Sequence, residues 1–369
     1  MPSIKRLLLI GDGLSAFGSW VDFLAILTLA AYQYHVTPYQ MAVVSAAGLL
    51  PGMLAAPAIG RLCDRRSPKN LLLLSIAGRA TITAGIIASH DYAVFLSLIC
   101  LRSACTAVAP PAINALAIRA IAPTGLAHFY SLLNVLNSSA KIVAPTIGTI
   151  SASLASETFA LAVSVLFSAA ALVAFTFVQC SEPARMASAA TSAAGVDTPP
   201  TRPSFVPLLW LAGTYAFFVF MVNNLFPLVL QQAGFDKSAL GILVSCSGAG
   251  NVLSGLWLAR RSAAGAVAGA SSAVLRPALL QAASFALIGS VLRIGIGNDM
   301  LVLPGLFFLT GMLSARYAIA FNIYLSTHYA RAIGAASGLV QAWQNGLIFA
   351  APYWAPRSWT GSAHRPCSG

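Results

Sequence analysis

Six ionisable side chains stand inside stretches that otherwise carry almost no charge: Asp12, Asp22, Arg79, Arg102, Lys141 and Arg316. A charge in an apolar run is costly unless it is paired or used, so each is a candidate for proton exchange, ion pairing or recognition of a charged solute. Asp22 and Arg102 lead, because counting about 1.5 Å per helical residue from the ends of their runs brings both near mid-depth. Two readings stay open for this pair. In one, Asp22 exchanges a proton while Arg102 or Lys141 tunes it and meets an anionic part of a solute. In the other, the pair is a fixed bridge between two helices, charged in every state. Asp12 reads as a solvated group near one end of its run, and Arg79 and Arg316 as side chains that snorkel towards an interface.

Other chemistries find no support in the residue pattern. The histidines, His35, His90, His128, His328 and His364, are scattered and form no general-base arrangement. No Gly-x-x-x-x-Gly-Lys-Ser/Thr run is present to cradle a nucleotide phosphate. The six cysteines include no Cys-x-x-Cys pair and no histidine at ligand spacing, so neither a metal site nor a disulfide framework is expected, and no cofactor.

The elements that must position these groups are long and apolar. Of 369 residues, 58% are hydrophobic and 8% charged, with mean hydropathy +0.80. A soluble domain carries about 25% charged residues, so this is the composition of an all-α polytopic membrane protein. A spanning helix needs roughly 20 apolar residues. That rule gives about eleven spans, near residues 7–31, 40–60, 71–89, 93–118, 128–154, 158–180, 207–231, 238–259, 278–296, 301–325 and 334–355. Between them, 181–206 is rich in Ser, Ala, Thr and Pro and reads as a linker. It divides the chain into an N-terminal bundle, 1–180, and a C-terminal bundle, 207–355, followed by a polar tail, 356–369.

Loop charges orient the spans. Lys5, Arg6, Arg119, Arg185, Arg202, Arg260, Arg261, Arg276 and Arg331 all fall on one side if every run crosses once, together with the cations of the loop near residue 65. The opposite loops hold mainly Asp91, Glu157, Asp236 and Asp299. The positive-inside rule then makes the N-terminus cytoplasmic. The net charge of +12 is spread among these short loops rather than gathered on one surface, so the lipid bilayer, not nucleic acid, is the expected partner.

One charged island, Gly60 to Asn70, sets four cations and one acid between two apolar runs. Gly60, Leu62, Asp64, Arg65 and Lys69 fall on the Gly-x-Leu-x-Asp-Arg-x-Gly-Arg-Lys pattern, with Ser67 and Pro68 in place of its second glycine and following arginine. On these residues the chain resembles the transporters of the major facilitator superfamily. The second half carries an echo, Gly255 to Arg261, with Ala259 where the aspartate would be. In the fifth run, Ala140 to Thr149 is similar to that family's antiporter motif, keeping Pro145 and Gly148 with Ala144 for a glycine; Pro145 favours a bend.

The resemblance implies the fold, two helix bundles about a central pathway, and a role for the island as a gate on the cytoplasmic side. Gly60 would allow close contact there, and Asp64 would sit near the N-terminus of the eleventh helix, with Arg65 and Lys69 beside it. The start Ser15-x-x-Gly18-Ser19-Trp20-Val21-Asp22 and the Pro110-Pro111-Ala112 run resemble the drug and siderophore exporters within the superfamily. By that likeness the expected activity is proton-coupled efflux of a small amphipathic solute across the cell inner membrane, with no enzyme chemistry. Those exporters have twelve helices, so the polar tail reads as a span lost by truncation. A lysophospholipid carrier, a membrane enzyme acting on lipids and an inactive truncated product are the alternatives.

Overall fold

The structure, a computed structural model, describes the backbone of residues 4–154, 157–178, 205–232, 237–262, 271–294 and 299–350. Within these, the side chains of 144–154 and most of those at 220–240, 293–301 and 348–350 lie outside the description. The expected linker 181–206, apart from Phe205 and Val206, and the tail 356–369 also fall outside it.

Every described element is helical: α1 (Ile4–Tyr32), α2 (Pro38–Arg65), α3 (Pro68–Ala88), α4 (Tyr92–Thr106), α5 (Ala109–Ala120), α6 (Pro123–Leu154) and α7 (Glu157–Thr176). They are followed by α8 (Val206–Gln232), α9 (Lys237–Ser262), α10 (Ser271–Ile294), α11 (Asp299–His328), a 3-10 turn at Ala330–Ala332 and α12 (Ile333–Ala350). Among the described residues, eight helical stretches are long and apolar enough to cross a membrane, with α4 and α5 counted as one.

Short polar signals start these helices. Thr37 caps α2 in a reciprocal box with Gln40: the Gln40 N–H donates to Thr37 Oγ1 at 3.3 Å and the Thr37 N–H to Gln40 Oε1 at 2.8 Å. Asp91 caps α4 by accepting from Ala93 and Val94 N–H at 2.8 and 3.0 Å. Proline opens α2, α3 and α6, where its missing N–H costs nothing.

The fourth span departs from the sequence expectation of one helix over 93–118. It is broken between α4 and α5. Pro110 and Pro111 have no N–H, so the carbonyls of Thr106 and Ala107 lose the donors that a continuous helix would supply four residues on.

Two groups of helices result. In the first, α1 packs on α6 and α7, α2 on α4, and α3 on α4 and α7; in the second, α9 packs on α11, α10 on α11, and α8 on α12. The groups meet where α2 and α5 touch α12 and where α6 touches α9 and α11. We call the face carrying the α2–α3 and α11–α12 connections the basic face.

Inside the first group, two apolar clusters are stacked along the helix axes. One, towards the basic face, contains Leu8, Leu72, Leu116, Phe129 and Phe175; the other contains Val21, Leu29, Ile86, Phe95 and Leu161. Between them the same helices place Ser15, Ser19, Asp22, Arg79, Thr83, Arg102, Ser103, Ser164 and Ser168, so a polar layer lies at mid-depth.

Candidate functional site

The polar layer brings Asp22 and Arg102 together. Arg102 Nε donates to Asp22 Oδ2 at 2.6 Å and a terminal guanidinium nitrogen lies 2.5 Å from the same oxygen. Thr83 Oγ1 donates to it as well, at 3.2 Å. Asp22 is 0% exposed and Arg102 8%. All three contacts fall on one carboxylate oxygen, and the other, Oδ1, is buried without a partner. The arrangement is an end-on pair rather than the two-point fork that matches a guanidinium to a carboxylate. It leaves one acceptor oxygen free for a proton or a donor.

Arg79 lies in the same layer and corrects an expectation. It does not snorkel: it is 4% exposed. One terminal nitrogen donates to Ser19 Oγ; the other donates to Ser15 Oγ at 3.2 Å and Ser168 Oγ at 3.0 Å. Its guanidinium therefore ties α3 to α1 and α7, with Nε left unpartnered. Asp12 is not merely solvated either, for it accepts from Asn137 Nδ2 of α6 at 3.0 Å. Lys141 stands apart from the pair, with its ammonium 5.6 Å from the centre of the Trp20 ring. Ala144, Pro145 and Gly148 fall within α6, but their side chains lie outside the described residues.

The charged island lies where the two helix groups touch. Asp64 reaches across to the N-terminus of α12, where Oδ1 accepts from the Gly334 N–H and Oδ2 from the Ala335 N–H, each at 2.8 Å. Those N–H groups have no partner within the helix, and the helix end carries partial positive charge, so the carboxylate satisfies both needs. Glycines allow the approach. A Cβ on Gly60 would lie 2.2 Å from the Gly334 carbonyl oxygen, and one on Gly338 would lie 2.2 Å from that of Ala56. Arg65 is exposed, and Lys69 Nζ donates to the Thr176 carbonyl at the end of α7 at 2.9 Å.

The second-half echo makes the reciprocal contact. Gly255 faces α6, where a Cβ would meet Val135 Cγ2 at 2.6 Å and the Ser131 carbonyl at 3.4 Å. Ala259, in the aspartate's place, offers only its backbone carbonyl, to which the His128 ring lies 2.8 Å away. Further polar contacts between the groups run inward from the basic face. Asn114 Nδ2 donates to Ser337 Oγ at 3.0 Å, and the Tyr130 and Ser326 hydroxyls are 2.6 Å apart. At the deepest, Asn251 Oδ1 accepts from both Asn134 Nδ2 at 2.8 Å and Ser138 Oγ at 2.9 Å.

The sequence marked Ser15 and Ser19 only as part of a resemblance, and gave no role to Ser168 or Thr83. Ser15 and Ser19 are four residues apart, on one helix face, which is the one local signal of paired acceptors for a donor. A lateral groove of about 450 Å³ between α8 and α10 also went unread. Trp210, Phe218 and Leu279 line it, with the Tyr215 hydroxyl donating to Gln281 Oε1 at 2.8 Å in its wall. Among the described residues, no three His, Cys, Asp or Glu side chains gather in a way that could hold a metal ion.

Two helix groups of apolar spans, buried charges at mid-depth and a glycine-mediated contact between the groups are the features of a multi-pass membrane protein. The sequence matches the Major Facilitator Superfamily over residues 8–352, and the chain belongs to that family. It is a multi-pass integral membrane protein of that transporter family.

One relative is the uncharacterized MFS-type transporter YfiS of Bacillus subtilis (strain 168), 31% identical over 143 residues. The match covers 38% of this chain and spans about a third of that relative, 34%. Among solved structures, a bacterial homologue of the iron transporter ferroportin in an outward-facing state superposes with a TM-score of 0.73 at 14% identity, covering 97% of this chain and 94% of that one. FucP, a superfamily transporter in the outward conformation, gives 0.67 at 14% identity, over 98% and 92%. The human organic anion transporter MFSD10 (TETRAN) gives 0.65 at 18% identity, over 97% and 96%. At these identities the likeness is one of fold.

Proposed function

We propose that this transporter exports a small amphipathic solute, of the drug or siderophore kind, in exchange for protons. It lies in the cell inner membrane with its N-terminus and basic face in the cytoplasm, as the loop charges favour. The units 1–180 and 207–355, joined by the linker 181–206 and followed by the tail 356–369, rock about the seam between them.

The observation that carries the reading is the free Oδ1 of a wholly buried Asp22 whose one ionic partner among the described residues is Arg102. When Arg102 turns to an acceptor group on the solute, Asp22 is left as a lone buried carboxylate, and a proton on Oδ1 removes that cost. Return of Arg102 expels the proton. Lys141, beside Trp20, supplies a second cation for the solute. The bonded seam of the basic half, with Gly60, Asp64, Arg65 and Lys69 at its mouth, closes the cytoplasmic side while the opposite side releases the solute.

The test uses the purified protein in vesicles with an imposed pH gradient and ethidium or erythromycin as probe. Gradient-driven flux that an uncoupler and Asp22→Asn both abolish is expected. Flux insensitive to uncoupler and to Asp22→Asn rejects proton coupling through this residue.

The lateral groove between α8 and α10 favours a second reading, a carrier of lysophospholipids that enter from the bilayer. A fluorescent lysophospholipid flipped faster by the protein than by empty vesicles, with no ethidium flux, supports that reading over the first.

A further inference from the structure

Outside the polar layer, a second group of cations has no counter-charge among the described residues. Arg316 of α11 and Arg261 of α9 both lie against the indole of Trp257, their guanidinium carbons 5.0 and 4.2 Å from the ring centre. Trp257 is 40% exposed and two residues from Gly255, so helix geometry turns it to the side of α9 away from α6 and from the seam. Arg316 lies within an apolar span, yet its Nε is buried with no acceptor.

The acids of the second half stand far from these arginines along the chain. Between residues 207 and 350 they are Asp236, which precedes α9, and Asp299, the first residue of α11. At about 1.5 Å per residue, Asp299 is roughly 25 Å along the helix from Arg316. In the first group Asp12, Asp22 and Asp64 are already engaged.

We infer that Arg261, Arg316 and Trp257 bind the phosphate of an anionic phospholipid. An arginine in an apolar span needs an anion, and the two guanidinium groups present several N–H donors to one acceptor group. Trp257 is half-exposed and five residues from the end of α9 on the basic face, the level at which tryptophan rings meet headgroups and a phosphate is the anion at hand. Trp257 holds the two cations close together by cation–π attraction, which partly offsets their mutual repulsion. A soluble phosphate ester has the same chemistry but would have to reach the site through the headgroup layer.

The test is lipid retention by the whole, delipidated protein in a neutral detergent, read by native mass spectrometry after adding phosphatidylglycerol or phosphatidylcholine. Wild-type protein binds phosphatidylglycerol preferentially. Arg261→Gln and Arg316→Gln each weaken that binding about fivefold, and together about thirtyfold. Arg260→Gln, one position away on an exposed residue, leaves it unchanged. Arg261 lies at a helix end, so its variant remains a test even where Arg316→Gln fails to fold. Equal phosphatidylglycerol binding in wild type and in Arg261→Gln overturns the assignment, as does an equal loss in Arg260→Gln. Displacement of the lipid by millimolar glycerol 3-phosphate makes it a site for a soluble anion and overturns the lipid assignment as well.

Discussion

Asp64 and Gly334, 270 positions apart in sequence, are joined by a 2.8 Å hydrogen bond from the Gly334 N–H to the Asp64 carboxylate. Together with the bond from Ala335, it sets a full negative charge on the positive end of α12, across the seam between two helix groups. The second-half counterpart has no such charge. There a histidine side chain meets the Ala259 carbonyl, so one arm of the seam rests on a carboxylate and the other on a backbone oxygen.

Asp64→Ala should therefore loosen the basic half more than a change at His128. Loss of a capping carboxylate costs about 1–2 kcal/mol. The expected result is faster alkylation of a cysteine placed at Ser337, one turn into the seam, in the variant than in the parent. Equal rates count against the capping role.

Gly60→Ala sets a methyl group 2.2 Å from a backbone oxygen that has no rotamer through which to yield. Overpacking of this kind costs about 1–3 kcal/mol and should part α2 from α12. Gly255→Ala meets the tip of Val135, which can turn, so its effect should be smaller. Spin labels at Arg61 and Arg331, both exposed, check this. A longer, broader distance distribution is expected for the first variant and little change for the second.

A double-mutant cycle on Asp22 and Arg102 measures the pair directly. Each single change, Asp22→Asn or Arg102→Gln, leaves a buried charge or donor without its partner and should destabilise by up to about 3–5 kcal/mol. The double variant should cost clearly less than the sum of the two, as contacting residues do. Thermal unfolding of the detergent-solubilised protein reads the cycle, and strict additivity argues that the two side chains are not coupled.

Much of this was legible in the chain. Long apolar runs mark spanning helices because lipid leaves the backbone no partner but itself. The close contact at Gly60 and Asp64 was implied by the resemblance of the island to the superfamily's loop pattern rather than by the residues alone. The break in the fourth span was written in Pro110 and Pro111, but the unbroken apolar letters around them masked it.

What could not be read is long-range. Arg79 looks like a charge seeking water until α1 and α7 present three serines to it, and no local pattern in α3 announces them. Asn251 likewise looks like any asparagine in a span. Only the packing of α9 against α6 makes its one carbonyl oxygen the acceptor for two donors.

The interruption at Ala107 and Val108 divides the labour of the fourth span. Arg102 lies on its upper segment, gripping Asp22, while Asn114 lies on its lower one, tied to Ser337 across the seam. With the Thr106 and Ala107 carbonyls deprived of donors four residues on, each grip is held by its own piece of helix.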